Sequence, residues 1–389
     1  MGALTRKAAI VGAYEHPDRK IPDKSMNHIQ AETCREALAE AGLSIKDVDG
    51  VMSASGGGFD AMHLAEYMGL NPKILDSTAV GGSSYLLHLL RAVSAIEAGQ
   101  AECVLVTYSS IARSSGRAIG TGGGGSSRVP AWPESFEAPY GPVLAGLYAT
   151  VASRHMFDYG TKPEQLANIS VITRKHASFN PNAMYRDPLT IEDVLSSRMI
   201  AWPLHLLECC VISDGGGAIV VTSKNVARNV KTKPVWFLGS GEGYDHLSNG
   251  HRDFTSVAAA RSAPQAFAQA GVTHKDIDMA MVYDSFSITV LTTLESLGFC
   301  KKGEGGAFVE GDRLAIGGEL PINTDGGGLS SNHPGQRGIF LLIEAVKQLR
   351  GDYAGTERQV KDCEIALCHG TGGNIGARHS GITTILARD

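Results

Sequence analysis

The chain has 389 residues, 43% hydrophobic, 19% charged and 6% aromatic, which predicts about two to three domains with large buried cores. A formal net charge of −5 leaves no basic stripe to neutralise phosphates and excludes a general nucleic-acid binder. No apolar run reaches the length of about 18 residues that suits a membrane helix, and the apolar core of the start is too short for a signal peptide. The chain therefore reads as soluble and cytoplasmic, with no membrane partner. Its 47 glycines exceed the usual level of about 7% without forming a repeat, so they are expected at tight turns and close backbone approaches.

In chain order, the apolar run 8–13 predicts a strand, and a helical period follows from about Asn27 to Gly42. SIKDVDGVMSAS then turns into a second strand, 86–98 is helical, and ECVLVTY (102–108) is a buried strand. The stretch 113–133, with four consecutive glycines and Trp132, breaks the pattern and predicts a mobile loop or flap. A more polar helical segment continues to about Ser197, with Cys209 and Cys210 expected in a helical stretch before the strand AIVVTS (218–223). The glycines between them are expected to let a helix lie close to the sheet. From PVWFLGSGEGY a second αβ series begins.

That second series repeats the first. ALAEAGLSIKDVDGVM (37–52) matches AFAQAGVTHKDIDMAM (266–281) at an offset of 229. LLHLLRAVSAIEAG (86–99) resembles FLLIEAVKQLRG (340–351), and each leads into a strand. The same order in both places predicts a tandem duplication of one αβ unit. Ligands of open αβ sheets gather beyond the carboxyl ends of strands, so the site is expected where the two copies meet.

Four segments carry candidate chemistry: DSTAVGGSSYLL (76–87), YDSFS (283–287), NTDGGGLSSNHPGQRG (323–338) and CHGTGGNIGARHSG (368–381). His333, before a helix, is placed to polarise a thioester carbonyl or move a proton. His369 is expected at a strand end as a general acid or base, and Tyr283 with Asp284 follows a buried strand, where Tyr283 can donate to an oxyanion or exchange a proton. Seven cysteines (Cys34, Cys103, Cys209, Cys210, Cys300, Cys363 and Cys368) are scattered, with no zinc-type spacing and no disulfide framework. No metal is expected. Strand alternation sends Cys368 and His369 to opposite faces, so Cys368 is at least as well read as a core thiol. Trp132 and Trp202 read as loop anchors or as walls of a wide apolar pocket.

Taken together these segments resemble the thiolase superfamily over nearly the whole chain. Tyr283-Asp284-Ser285-Phe286 stands at the family's Asn/His-Glu-x-Phe segment, Asn332-His333-Pro334 at its Gly-His-Pro segment, and Cys368-His369-Gly370 at its final Gly-rich segment. The HGTGG form and PLHLLECCVISDGGGAIVV (203–221) are most similar to sterol-carrier-protein-type thiolases and to bacterial thiolase-like subunits that pair with a small OB-fold, zinc-ribbon acyl-CoA-binding protein. The resemblance implies an α/β chain with a duplicated αβαβα layered fold and an inserted loop domain. The expected division is 1–112 plus 206–230 for the N-terminal half, 113–205 for the inserted loop domain and 231–389 for the C-terminal half. It also implies coenzyme A as the substrate's thioester handle, a homodimer, and a small OB-fold zinc-ribbon partner.

One departure is large. Thiolases attack with a Cys at the N-terminus of the first-half helix, where the helix dipole activates it. Aligning the two repeats through Ala92 and Ala345 places Val80 opposite His333, in the turn Val80-Gly81-Gly82-Ser83-Ser84, and no Cys is there. The leading expectation is retro-aldol cleavage of a β-hydroxyacyl-CoA, which needs a base and enolate donors but no nucleophile. Tyr283 is then the principal acid or base, His333 and His369 are proton carriers, and Gly81 and Gly82 make room for a bulky acyl group or offer an N–H donor. Gly327, Gly328, Gly370 and Gly372 are expected in the substrate-binding loops. The alternatives are Claisen-type thiolysis of a β-ketoacyl-CoA, by direct attack of free CoA or with Ser83 or Ser84 as a weak nucleophile that His88 assists only if its rotamer reaches back to the turn, and a non-catalytic acyl-CoA-binding subunit.

Overall fold

The computed structural model describes residues 2–55, 58–116, 134–141, 143–247 and 253–389. Trp132 and most of the glycine-rich segment expected to form a flap lie outside the described residues. The first αβ unit runs β1 (Ala8–Glu15), α1 (Met26–Ala41), β2 (Gly50–Ser53), α2 (Asp60–Met68), β3 (Ile74–Asp76), α3 (Ser84–Glu97) and β4 (Cys103–Ser110). Then come α4 (Glu134–Glu137), α5 (Leu144–Tyr159), α6 (Pro163–Ser178), α7 (Ile191–Ser196) and the short pair β5 (Met199–Ala201) and β6 (Leu204–His205). The unit closes with β7 (Gly215–Ser223) and α8 (Lys224–Ala227). The second unit runs β8 (Val235–Asp245), α9 (Ala259–Ala270), β9 (Met279–Val282), α10 (Ser287–Leu297), α11 (Gly305–Phe308), α12 (Gly338–Arg350), β10 (Ile365–Gly373) and β11 (His379–Ala387).

Strand order is β3-β2-β4-β7-β1-β8-β11-β10-β9. Read outward from its middle, the order is the same in both halves. A lone parallel bridge from Ala280 to Ile322 stands in the second copy where β3 stands in the first. The halves join edge to edge where β1 meets β8, Ala9 opposite Trp236 and Ile10 opposite Val235. The local chemistry of the repeat is duplicated as well. Asp47 Oδ2 caps the N–H and hydroxyl of Ser44 at 2.8 and 2.9 Å, and Asp276 Oδ2 caps those of Thr273 at 2.7 and 2.8 Å. Asp49 and Asp278 each accept hydrogen bonds from the N–H groups that open β4 and β10.

Both faces of the strands are covered, so each alternates apolar side chains between two cores. Val104 and Val106 of β4 join a core with Leu86 and Leu89 of α3, Phe340 and Leu342 of α12, and Met279 and Met281 of β9. Cys103 and Leu105 face Cys34 and Leu38 of α1 on the other side. A third core packs α5, α6, α9 and α10 against the outer face of the second half, with Val282, Leu367 and Ile385. The result is five layers, αβαβα, with α3 and α12 in the middle. At β7 the glycines permit close helix approach on both faces: a Cβ on Gly216 would lie 2.5 Å from Ile29 Cγ2, and one on Gly217 2.6 Å from Ile343 Cδ1.

Two local expectations are corrected. Cys209 and Cys210 are not helical. They leave a single 3-10 turn and run beside Ser285 and Phe286, where Cys210 N–H bonds the Ser285 carbonyl at 2.9 Å. His369 is not at a strand end, because β10 continues to Gly373, paired with β11 beyond the point where β9 stops.

Candidate active site

Tyr283 and Asp284 are the first residues beyond β9, at its carboxyl end. Tyr283 N–H bonds the His369 carbonyl at 3.0 Å, which carries the β9–β10 pairing one residue past the strand. The pleat then decides direction. Val282 faces the outer core, and Tyr283 faces inward between the two sheets. Its hydroxyl lies 2.9 Å from His333 Nε2, with the rings edge to face at 88°. Tyr283 is only 5% exposed, and burial pushes its phenol well above 10, so it is a neutral donor and acceptor.

His333 stands on the loop between a π-turn, Gly327–Ser331, and α12. Its N–H bonds Ser213 Oγ at 3.0 Å. The neighbouring Asn332 is clamped between Arg337, which donates to its carbonyl and side-chain oxygens, and Glu15 of β1, which accepts from its amide. Arg337 is fully buried and pairs with Asp325 and, at 3.4 Å, with Asp284 Oδ1. The Asp284 carboxylate also accepts from Gly328 N–H at 2.7 Å and Leu329 N–H at 3.2 Å. Burial raises the Asp284 carboxyl to about 6 against the opposing pull of Arg337. In Asp325 burial acts the same way, but Arg337 outweighs it and holds that carboxyl below its ordinary value. Asp284 thus ties the end of β9 to the His333 loop from beneath. Gly327 and Gly328 leave space for that carboxylate, since a Cβ on Gly327 would lie 2.1 Å from Asp284 Oδ2.

The turn at the start of α3 closes the third side. A Cβ on Gly82 would lie 2.3 Å from Tyr283 Cε2 and 2.6 Å from the Thr371 carbonyl, so Gly82 is the socket for the tyrosine ring. Gly81 (φ +70°) meets Gly372 backbone to backbone, and Gly370 faces Ser83 and Leu86. The room expected at Gly81 and Gly82 for an acyl group is therefore filled by Tyr283 and by the end of β10. Ser83 donates to the Val80 carbonyl at 2.9 Å and lies 2.7 Å from Ser380 Oγ. Ser84 donates to the Gly81 carbonyl and accepts from Val80 N–H. Both serines are fully buried. His88 does reach back toward the turn, but its Nε2 meets the Thr78 carbonyl at 3.0 Å rather than a serine.

His369 does not join this group. It shares the outer face of β10 with Leu367, while Cys368 and Gly370 face inward. Its imidazole is fully buried, Nδ1 lies 2.8 Å from Thr383 Oγ1, and burial pushes it down to about 3, so it stays neutral. Cys368 lies 3.6 Å from the Leu341 carbonyl, its thiol pushed far up by burial, which suits a core residue and not a nucleophile. Of the four candidate catalytic side chains, the fold brings Tyr283 and His333 into contact, sets Asp284 under them, and turns His369 away.

Sequence reasoning missed Arg337 and Asp325, although both lie in the NTDGGGLSSNHPGQRG segment, where an Arg and an Asp flanking a buried glycine run signal an internal ion pair. It also missed Tyr148 of α5, whose hydroxyl bonds the Gly373 carbonyl at 3.2 Å and whose ring lies 4.5 Å from Phe286. Beside Tyr148 an apolar recess of about 290 Å³ is lined by Leu147, Val151, Leu247, Phe254 and Ile375, with the Arg378–Glu137 ion pair at its rim. Among the described residues, no three His, Cys, Asp or Glu side chains are placed to hold a metal ion, and no helix is long and apolar enough to cross a membrane.

Residues 241–388 match a family model described as thiolase C-terminal domain-like. The chain is 34% identical over 388 residues to an acetyl-CoA acetyltransferase of Methanothermobacter thermautotrophicus, covering 95% of this chain and 97% of that one. It is 35% identical over 389 residues to a steroid side-chain-cleaving aldolase of Thermomonospora curvata, covering 96% and 97%. Among solved structures it superimposes on the "Ltp2-ChsH2(DUF35) aldolase" with a TM-score of 0.87 at 32% identity, covering 100% of this chain and 99% of that chain. With the duplicated five-layer fold and the ordered motifs, these likenesses establish the family: the chain belongs to the thiolase superfamily, on its sterol-carrier-protein-2-thiolase side.

Proposed function

We propose that this chain cleaves a β-hydroxyacyl-CoA by a retro-aldol step, with Tyr283 and His333 as its proton-handling pair. The observation that carries the reading is the 2.9 Å contact between Tyr283 Oη and His333 Nε2, in a site whose α3 turn has no Cys and seats the tyrosine ring on Gly82. In this step the β-hydroxyl gives its proton to Tyr283 Oη, and the phenolic proton moves on to His333 Nε2. The Cα–Cβ bond breaks, Cβ becomes a carbonyl, and the electron pair enters the thioester as an enolate. Cα then takes that proton back from His333 through Tyr283, which gives the shortened acyl-CoA and restores the pair. A phenol with so high a pKa is a poor free tyrosinate but a good relay, because it accepts and donates within one hydrogen-bonded line.

The apolar recess beside Tyr148 is proposed to take part of the acyl thioester, with coenzyme A as the handle. Thiolysis through Ser83 or Ser84 is the weaker reading, since both hydroxyls already serve the turn. A small OB-fold, zinc-ribbon subunit is the proposed partner, supported by likeness to the Ltp2-ChsH2(DUF35) aldolase, whose name pairs two chains. Phe59, Met62 and Tyr67, exposed near edge strand β3, are proposed to meet a second copy of this chain. On the same reading 113–205 is an inserted loop domain that presents Tyr148 to a site built by 1–112, 206–230 and 231–389.

The test is incubation with matched β-hydroxyacyl- and β-ketoacyl-CoA substrates, with and without a zinc-ribbon partner. Cleavage of the hydroxy ester without free CoA is expected. Cleavage of the keto ester alone, dependent on free CoA, overturns the reading, and tight binding of both without turnover points to a non-catalytic subunit.

A further inference from the structure

The proton pair comes wholly from the second copy of the αβ unit, but the first copy holds it in place. Tyr108, near the end of β4, is 3% exposed. Its hydroxyl donates to the Pro334 carbonyl at 2.9 Å and accepts from Gln336 N–H at 3.1 Å. These two peptides flank Gly335, at φ +111°, in the loop that begins with His333. A glycine there has little conformational preference of its own, so the loop's course depends on bonds from outside. The Tyr108 ring is wedged between Tyr85, at 5.0 Å between centroids, and Phe340 of α12, at 6.3 Å. Neither neighbour leaves it freedom to follow a moving loop.

We propose that Tyr108 is a positioning residue that sets the reach of His333 to Tyr283. The proposal rests on the aldol reading above. Proton transfer along the pair needs the heavy atoms within about 2.6–3.2 Å. A displacement of about 1 Å in such a line costs on the order of 100-fold in rate. Ser213 fixes the N–H of His333, and Tyr108 fixes the two peptides that flank Gly335, so the imidazole is aimed by the first copy.

Tyr108→Phe keeps the ring and its stacking and deletes only the oxygen. The expected result is a fall in kcat of about 10- to 100-fold with KM for the acyl-CoA within about twofold. On a His333→Ala background the same change should cost nothing further, because its effect passes through His333. An independent readout is the NMR titration of the His333 imidazole, which Tyr108→Phe should move. Tyr85→Phe, a neighbouring buried ring with no hydrogen bond to the 332–336 loop, should not move it. An unchanged kcat, an equal further loss without His333, or an unmoved titration each overturns the proposal. Should the unmodified chain fail to cleave the hydroxy ester, the aldol reading falls while the titration still decides the role of Tyr108.

Discussion

The two copies of the αβ unit end their second strands and begin their central helices in the same places, with different side chains. Where the first copy has Ser53-Ala54-Ser55, the second has Val282-Tyr283-Asp284. Where the first has Val80-Gly81-Gly82, the second has His333-Pro334-Gly335. In the first copy the polar groups are engaged by structural neighbours: Ser53 and Ser55 bond Asp60 and Gln30, and Ser83 and Ser84 of the α3 turn bond the Val80 and Gly81 carbonyls. In the second, Tyr283 and His333 meet each other instead, at 2.9 Å. The contrast teaches that in a duplicated unit one copy can carry the reactive pair while the other supplies the shape that holds it. Gly82 is that shape, a socket for Tyr283.

Four experiments break or sharpen this contrast. The largest effect is expected of Tyr283→Phe, which removes the relay and should lower kcat for hydroxy-ester cleavage by about 10²–10⁴-fold with the fold intact by circular dichroism. Unchanged cleavage would return the chemistry to some other group. Next is Gly82→Ala, a first-copy change whose added methyl overlaps the tyrosine ring. It should lower kcat by roughly 100-fold and also lower the thermal midpoint, since the methyl meets the Thr371 carbonyl as well as the ring. A variant as active as the parent would mean that the socket is not needed.

The third concerns acid stability. His369 occupies the place beside Val282 that Thr107 occupies beside Ser53 in the first copy. Its native pKa of about 3 lies below the ordinary 6.5, so between those values only the unfolded chain takes up the proton. Stability should therefore fall as pH drops below about 6.5, with His176, at about 4, adding in the same sense. Urea midpoints measured from about pH 7.5 down to about pH 5 should fall, and His369→Gln should flatten the slope. A slope unchanged by that substitution removes His369 as the cause. The smallest effect is expected of Ser83→Ala, less than about tenfold in kcat, since its hydroxyl is engaged by the Val80 carbonyl and Ser380 Oγ and not by the Tyr283–His333 pair. A loss as large as that of Tyr283→Phe, together with an acyl-serine seen by mass spectrometry, would restore a thiolase-like mechanism.

The repeat was the most legible feature of the fold. Matching stretches at 37–52 and 266–281 correspond to matching capping aspartates, matching second strands and matching sheet orders, because caps, periods and turns are local properties. The pairing of Tyr283 with His333 was legible only as two motifs on one expected ligand-facing edge; their contact depends on a loop braced by Ser213, Arg337, Asp284 and Glu15, which come from both halves of the chain. His369 shows the limit. Alternation placed it opposite Cys368, but which of the two faces the site depends on how β10 packs between β9 and β11.

By itself the sequence determined the duplicated αβ architecture, the ordered thiolase motifs, and the absence of a Cys at Val80, since these rest on residue identity and short-range pattern. Only the tertiary structure decided that Gly82 seats an aromatic ring, that Asp284 ties strand to loop beneath the site, and that His369 points away. Those outcomes depend on which backbones meet across layers, and a glycine or a carboxylate takes its role from the neighbour that fills the space beside it.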